Sequence, residues 1–425
     1  MDKISELPDE LLVKILSSVP TKVAVSTSVL SKRWKFLWMW LTKLEYSDDE
    51  GNSFLVVRDF INKNLPLHRA PLIERLCLEL WEEESTKVNH EEDIKLWVET
   101  AVSRCVRYLE VSYNVNMLPS SLFTCESLVV LKLRYLTLKD VPSTGCSLPS
   151  LKTLQLKSLT YVGVDSLQNL LSMCHHDVLE EVKVRFIEDE YPQMFTVIFP
   201  LLHKLSLSLP DCEWDIDEYE IDTPCLQHLK LKDRNQSRWL FKKNMPDLSE
   251  AYVHVESYAL DSVIGVITSV KHLTVCSEVR EDLYYGGHGF VFHQLEHLEL
   301  CVCKDDSLNL LAQFLKDSPN LRVLDISILD CHGDIKTDDK FAWYQLSCVP
   351  ECMLPSLRVF NWSRYVGRPR DRDIAVYILR NAPSLRTATF RFDADVPNLK
   401  ILKMELADFP PASSTCELMF VESLI

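Results

Sequence analysis

Residues 151–156 read LKTLQL, residues 202–207 LHKLSL and residues 226–231 LQHLKL. The tail L-x-L of each puts two leucines on one face of an extended chain and the residue between them on the other. The same frame, apolar-x-x-apolar-x-apolar, occurs thirteen times. Besides these three it appears as IERLCL (73–78), VRYLEV (106–111), LVVLKL (128–133), LEEVKV (179–184), LSEAYV (248–253), VKHLTV (270–275), LEHLEL (295–300), LRVLDI (321–326), LRVFNW (357–362) and LRTATF (385–390). Between Val106 and Leu321 successive starts lie 22, 23, 28, 23, 24, 22, 22, 25 and 26 residues apart. One such strand cannot bury its apolar face alone, whereas stacked neighbours share a continuous core.

A strand of this form every 20–29 residues is the pattern of leucine-rich repeats. Helical returns fit between the strands. LNLLAQFLKDSPNLRVLDI (308–326) runs from a helical pattern through Ser-Pro into a strand, and DIAVYILRNAPSLRTATF (373–390) repeats that layout. The fold class is therefore α/β, a solenoid of parallel strands and helical returns that continues to near residue 391. Regular repeats place Asn at the ninth position. Here only Asn114 falls there, with Trp81, Leu159, Pro210 and Arg234 at others, so an irregular, more tightly curved solenoid is expected. An ordinary α/β domain with Leu-rich strands is the rival, and thirteen units in register argue against it.

Composition narrows the function classes. A chain of 425 residues with 47% hydrophobic and 25% charged residues has ample core for a folded protein. Only 9 Gly argues against phosphate-binding turns, and a net charge of −16 against broad nucleic-acid or membrane-surface binding. MDKISELPDE lacks the apolar core of a signal peptide, and no apolar run approaches a membrane span. The 14 Cys are scattered, several among strand residues (Cys77, Cys276, Cys301), and read as reduced small hydrophobes. Nucleus and/or cytoplasm is the expected location.

The N-terminal segment carries a second signal. In LPDELLVKILS (7–17), Pro8 with Asp9 and Glu10 suits a helix start. Leu11 and Ile15 then line one stripe, and Leu12, Leu16 and Val19 a neighbouring one. A small helical unit needs a single buried stripe, so two stripes imply two partners. Trp34, Trp38 and Trp40 add more apolar surface than three short helices can hide. Residues 7–38, LPDELLVKILSSVPTKVAVSTSVLSKRWKFLW, resemble the F-box family in its plant form, the pairing of LPDELL with LSKRW being specific. Ser18-Val19 departs from it, where many relatives carry a bulkier aromatic pair member. The resemblance implies a three-helix unit that docks on a Skp-type adaptor and through it on a cullin. It assigns Leu7, Pro8, Leu11, Leu12, Ile15, Leu16, Leu30 and Trp34 to that interface or its immediate support. For Trp40, sealing the first repeat is an equal alternative.

The C-terminal end resembles the plant FBD domain. VPECMLPSLRVFNWSRYVGRPRDRDIAVYILRNAPSLRTATF (349–390), LKILKMELADFPPASSTCELMF (399–420) and the residues from about Trp343 onward carry the match. Leu399, Leu402 and Leu406 recur at helical spacing and CELMFV alternates like a strand, which most simply caps the solenoid. The expected organisation is an F-box over 1–45, leucine-rich repeats over 72–341 and an FBD over 342–421. Relatives often carry Cys-Pro before the strand; Cys174-His175-His176-Asp177 stands here instead.

Reactive constellations fail on inspection. HQLEH (293–297) matches a metalloprotease pattern, but it overlaps LEHLEL, in register with the sister strands, where a helix is required. Cys174-His175-His176 has no C-x-x-C companion, and the acidic clusters Glu82 to Glu84 and Asp211 to Glu220 read as solvated loop faces. No metal, cofactor or enzymatic activity is expected.

The residues between the inward leucines define an open, usually concave, face. From Val130 to Lys232 five repeats place there Lys132, Arg134, Lys157, Lys183, Arg185, Lys204, Lys230 and Lys232 with one acid, Glu181, although acids outnumber bases 62 to 46 in the chain. The next four repeats contribute Glu250, Tyr252, His254, His272, Thr274, Cys276, His297, Glu299, Cys301, Val323, Asp325 and Ser327, without Lys or Arg. The eight cations are the candidate target-binding residues, for an acidic or phosphorylated segment or a small anion; Lys as a common solvated neighbour of Leu is the rival. The expected function is the substrate-recognition subunit of an SCF-type ubiquitin ligase. A non-degradative adaptor-binding module and a small-ligand-dependent receptor remain open beside it.

Overall fold

The computed structural model describes residues 4, 6–48, 53–81, 90–115, 118–138, 141–159, 161–162, 165–187, 194–211, 218–277, 291–302, 307–328, 348–393, 396 and 399–422. They form two compact units, 1–210 and 211–425, each described by itself.

The first unit opens with helices Asp9–Leu16 and Thr21–Ser26 and two tighter 3₁₀ segments, Thr27–Val29 and Trp34–Trp40. Parallel strands follow in chain order: Lys43–Ser47, Arg75–Glu79, Tyr108–Val115, Val130–Leu138, Thr153–Leu159, Glu181–Phe186 and Lys204–Ser208. Each repeat frame begins in the turn before its strand. Leu151 closes such a turn, its N–H donating to the Leu148 carbonyl at 3.3 Å, and Leu151, Leu154 and Leu156 are all fully buried. Helices return the chain at Phe54–Asn64, Glu91–Val102 and Ser166–Met173. Glu91–Val102 shows why: Glu91, Glu92 and Asp93 favour its N-terminal end, and Ile94, Trp97, Val98 and Ala101 make one buried stripe. Trp97 keeps its indole N–H satisfied by Asn62 Oδ1 at 2.8 Å.

Two features depart from expectation. The chain leaves the N-terminal helices directly into the strand Lys43–Ser47, which pairs in register with Arg75–Glu79. LTKLEY (41–46) is one more copy of the repeat frame, with Leu41, Leu44 and Tyr46 buried. The returns are also not all helical. Met194–Ile198 is a strand, because MFTVI alternates at period two and buries Phe195 and Val197.

The second unit carries parallel strands His228–Asp233, Glu250–Val255, His272–Cys276, His297–Cys301, Val323–Ser327, Val359–Trp362, Thr387–Phe392 and Glu417–Glu422, again in chain order. Its early returns are strands too. Glu218–Asp222 pairs in parallel with Arg238–Phe241, and Tyr219 meets Trp239 at 4.7 Å between ring centroids. Later returns are the helices Ser257–Ile264, Ser307–Asp317 and Pro369–Asn381. Under the last strands Phe360, Trp362, Tyr365, Phe390 and Phe392 pack edge to face, at centroid distances of 5.2 to 6.2 Å. The helix Leu399–Ala407 and the strand Glu417–Glu422 lie where helical spacing and alternation place them. Leu402 of that helix reaches Gly367, whose φ of +76° and missing Cβ admit it. Ile401 and Met404 remain exposed, so the terminal helix keeps an uncovered apolar side.

Candidate docking surfaces

The N-terminal helices sort their apolar residues cleanly. Leu12 and Leu16 are 0% and 2% exposed, whereas Leu11 and Ile15, one position before each, are both 47% exposed. Val19, Val23, Val29 and Leu30 are exposed as well, Leu30 at 65%. Leu7 is half-buried and Pro8 exposed. Trp34, with Leu37 and Trp38, is buried beneath the first helix, so Leu12, Leu16 and Trp34 can support a docking face without being part of its surface. Trp40 is half-exposed. Arg33 joins the two ends of the motif: its guanidinium donates to Asp9 Oδ1 at 2.8 Å through Nε and to the Leu7 carbonyl through Nη2. Thr21 Oγ1 accepts the Glu45 N–H at 2.8 Å, and the Met39 carbonyl accepts from the Arg69 and Ala70 N–H groups at 2.7 and 3.1 Å. These bonds fix the helices against the first strand.

On the sheet of the first unit, strand register aligns the open-face residues in rows. Glu110, Lys132, Gln155, Lys183 and Ser206 make one row, and Ser112, Arg134, Lys157, Arg185 and Ser208 the next. Lys132, Arg134, Lys157, Lys183 and Arg185 are thus brought together around Gln155. Lys204 lies in a third row beside Glu181. The buried Glu110 carboxylate accepts the Tyr108 hydroxyl at 2.6 Å and Arg134 Nη2 at 3.0 Å. Burial, then this carboxylate, pushes the Tyr108 phenol up, so it stays a donor. Lys157 is held below the usual lysine range, first by burial and then by Lys183, Arg134 and Lys132. Among the described residues no carboxylate pairs with Lys157, Lys183 or Arg185.

The second unit holds Lys230, with Nζ 4.4 Å from the Tyr252 ring centroid, and the half-buried Lys232. Its histidines divide: His228, His272 and His297 remain on the open face, and His254 does not. His254, Cys276, Cys301 and Ser327, all assigned to the open face, are buried. His254 pairs in register with Cys276 and Cys301 with Ser327, a line of mostly small side chains in close cover. His228, His272 and His297 form a separate row: Glu250 contacts His228 at 3.0 Å and His272 at 3.7 Å, and His297 Nε2 meets Asp325 at 2.7 Å. That strand begins at His297 and no helix carries HQLEH, so the zinc-helix geometry is lacking. His175, His176 and Asp177 bring three donor atoms within 4.8 Å of one another, all on exposed side chains, with His176 and Asp177 paired at 3.1 Å. Burial pushes the Cys77 thiol up to about 11 and those of Cys174 and Cys352 to about 12, which keeps them unreactive.

Comparison with known proteins matches three family profiles along the chain. The F-box domain matches residues 4–46, the LRR repeats of FBD-associated F-box protein At5g56370 match residues 94–326, and FBD matches residues 345–390. FBD-associated F-box protein At5g38590 of Arabidopsis thaliana is 53% identical over 404 residues, covering 92% of this chain and 94% of that protein. The chain belongs to the FBD-associated F-box family. A second Arabidopsis relative, FBD-associated F-box protein At4g10400, is 50% identical across 99% of this chain and 100% of its own length. A third, named putative F-box/FBD/LRR-repeat protein At4g00315, is 41% identical over 420 residues. F-box proteins as a class act as substrate adaptors of SCF ligases through a Skp-type adaptor, and this family shares that layout.

Sequence reading of the open face began one repeat too late. It passed over Tyr108 and Glu110, although TYR-x-GLU in the frame VRYLEV stands directly beside Lys132 and Arg134. Trp34, assigned to the adaptor interface or its immediate support, lies beneath the first helix, where only the supporting role is open to it.

Proposed function

We propose that this chain is the substrate-recognition subunit of an SCF-type ubiquitin ligase, working in the nucleus or cytoplasm. The observation that carries this reading is the exposed pair Leu11 and Ile15 on a helix whose Leu12 and Leu16 are already buried, with Leu30 exposed on the same helical unit. A soluble chain keeps such a patch open for a protein partner, and the F-box match supplies the partner class, a Skp-type adaptor. The target is taken by the sheet face of the first unit, where Lys132, Arg134, Lys157, Lys183 and Arg185 converge. The mechanism is proximity: holding a target on a scaffold that also holds the ubiquitin-carrying enzyme raises its effective concentration there. Bond chemistry belongs to the other subunits.

Affinity purification of the tagged full chain beside a Leu11→Arg/Ile15→Arg/Leu30→Arg variant tests the reading. Adaptor and cullin should be recovered with the native chain and lost with the variant. Recovery of adaptor without cullin would make the chain a sequestering module, and recovery of neither with the native chain would end the ligase reading.

A further inference from the structure

Five cations of the first unit sit on adjoining strands, and among the described residues four of them make no ion pair with a carboxylate. Neighbouring strands lie about 4.8 Å apart, and alternate residues along a strand about 7 Å apart. Arg134, Lys157 and Arg185 therefore span about 10 Å in one row, with Lys132 and Lys183 flanking Gln155 in the next. Gln155 is turned away by its own bond to Glu181 Oε1 at 2.7 Å. Of the two acids beside the cluster, Glu181 holds Gln155, and Glu110 accepts from Tyr108 and Arg134, a bond that orients the Arg134 guanidinium.

The backbone adds a second observation. Tyr135 and Ser158, the residues directly after Arg134 and Lys157, have φ of +58°. The ladder slips between Lys157 and Leu159. Left-handed backbone at a non-glycine residue is strained and persists where a particular side-chain placement is held. These two left-handed residues directly follow the paired Arg134 and Lys157, at the end of the cationic rows. There Tyr135 meets the half-exposed Trp81 edge to face, at 4.8 Å between centroids, forming an aromatic border.

We propose that this cluster is a binding site for a phosphoryl dianion, with Arg134, Lys157 and Arg185 facing its oxygens and Lys132 and Lys183 closing the second row. A phosphoryl group offers the charge of about −2 and the three acceptor oxygens that a single carboxylate lacks. The arginine forks suit it best. Its source is a phosphorylated side chain on a target segment or a free polyphosphate, and the site rests on the proposed function only in the first case. Without a ligand the cations repel one another, and at the partly open Lys157 the neighbours Lys183, Arg134 and Lys132 add to burial in disfavouring its charge.

That repulsion gives the test its signature. The full chain, co-purified with its adaptor, is titrated with a degenerate phosphoserine peptide library, with the same library carrying serine, and with inorganic tripolyphosphate. Binding of the phosphoserine library and not of its serine counterpart, competed by tripolyphosphate, assigns the site to a modified target. Binding of tripolyphosphate alone assigns it to a free anion. In either case Lys157→Gln should raise the melting temperature of the unliganded chain while weakening binding about tenfold, and Lys204→Gln, outside the cluster, should do neither. Binding should fade as ionic strength rises. If no phosphate probe binds, or if Lys157→Gln leaves both stability and binding unchanged, the site is refuted. Adaptor binding is scored in the same preparation, so a chain that keeps its adaptor but ignores phosphate sinks this inference and leaves the ligase reading standing.

Discussion

Leu11 and Leu12 are consecutive, chemically identical and placed to fail in opposite ways. Leu12 has no exposed surface, so Leu12→Ala opens a cavity and should destabilise the first unit by about 3 kcal/mol. Leu11 leaves nearly half of its side chain in water, and Leu11→Ala should change stability by no more than about 0.5 kcal/mol. At a docked interface the order reverses. Covering the exposed half of a leucine is worth about 1 kcal/mol, which is about fivefold in Kd. Leu11→Ala should therefore weaken adaptor binding about fivefold at unchanged stability. Leu12→Ala should lower the urea midpoint and affect binding only through the unfolded fraction. Urea denaturation followed by tryptophan fluorescence, beside calorimetric titration with purified adaptor, measures both. Equal destabilisation by the two substitutions, or unchanged affinity in Leu11→Ala, would refute the assignment of separate stripes.

His68 is buried, with Nε2 donating to the Leu41 carbonyl at 2.6 Å and Nδ1 accepting from Arg104 at 2.8 Å. Burial first, with Arg104 adding to it, holds its pKa down at about 4 against 6.5. The unfolded chain takes the proton first, so stability is full above pH 6.5 and falls as the pH drops towards 4. Between pH 7 and 5 the native chain should lose about 2 kcal/mol more than His68→Gln in urea denaturation; parallel losses would contradict a neutral His68. His297 behaves in the opposite sense. Its hydrogen bond to Asp325 raises its pKa, so the pair stabilises below the ordinary imidazole range and fades as the pH climbs through the raised value. Both partners are partly exposed, so Asp325→Asn should cost more at pH 6 than at pH 9 by well under 1 kcal/mol, the change at the Asn361 bond being common to both pH values. Gly367→Ala places a methyl 2.2 Å from Leu402 Cδ2 on a backbone of positive φ. It should destabilise the second unit by about 1 kcal/mol and speed amide exchange in residues 399–407, whereas an unchanged exchange pattern would show that the terminal helix does not depend on this contact.

Where burial and period coincide, the fold is legible from residues alone. Thirteen frames, spaced 22 to 28 residues apart between Val106 and Leu321, located the strands, and DSPNLR and NAPSLR marked two of the helix-to-strand turns. The strand Lys43–Ser47 escaped because its frame ends in Tyr46 and directly follows the N-terminal helices. The strand returns Met194–Ile198 and Glu218–Asp222 escaped because five-residue alternations are weak signals between stronger ones. At the candidate sites the limit is different. Register predicts which face a side chain leaves from, and the pairs Lys132/Lys183 and Arg134/Arg185 fall where counting put them. What later chain lays over that face is a tertiary matter, so nothing local distinguished His254, which is covered, from Lys157, which is partly open. The stripe of Leu11 and Ile15 was legible for the converse reason: its surplus of apolar surface exceeded what the short helices could bury.

Between Trp40 and Lys43 there is no room for a linker. The last turn of the N-terminal helices passes into the first strand of the sheet within two residues, and the Thr21–Glu45 and Met39–Arg69 bonds close the joint. A scaffold jointed this tightly acts as a bracket, holding one fixed angle between what docks on the helices and what docks on the first strands. On the ligase reading, the lysines of a target that can be modified are then chosen by distance and direction, and a flexible tether inserted at Thr42 should broaden that choice without altering either affinity. Exchange of the N-terminal module between relatives should likewise succeed when the graft runs through Asp48 and fail when it stops at Leu41, where the cut would join foreign helices to a strand they were not bonded to.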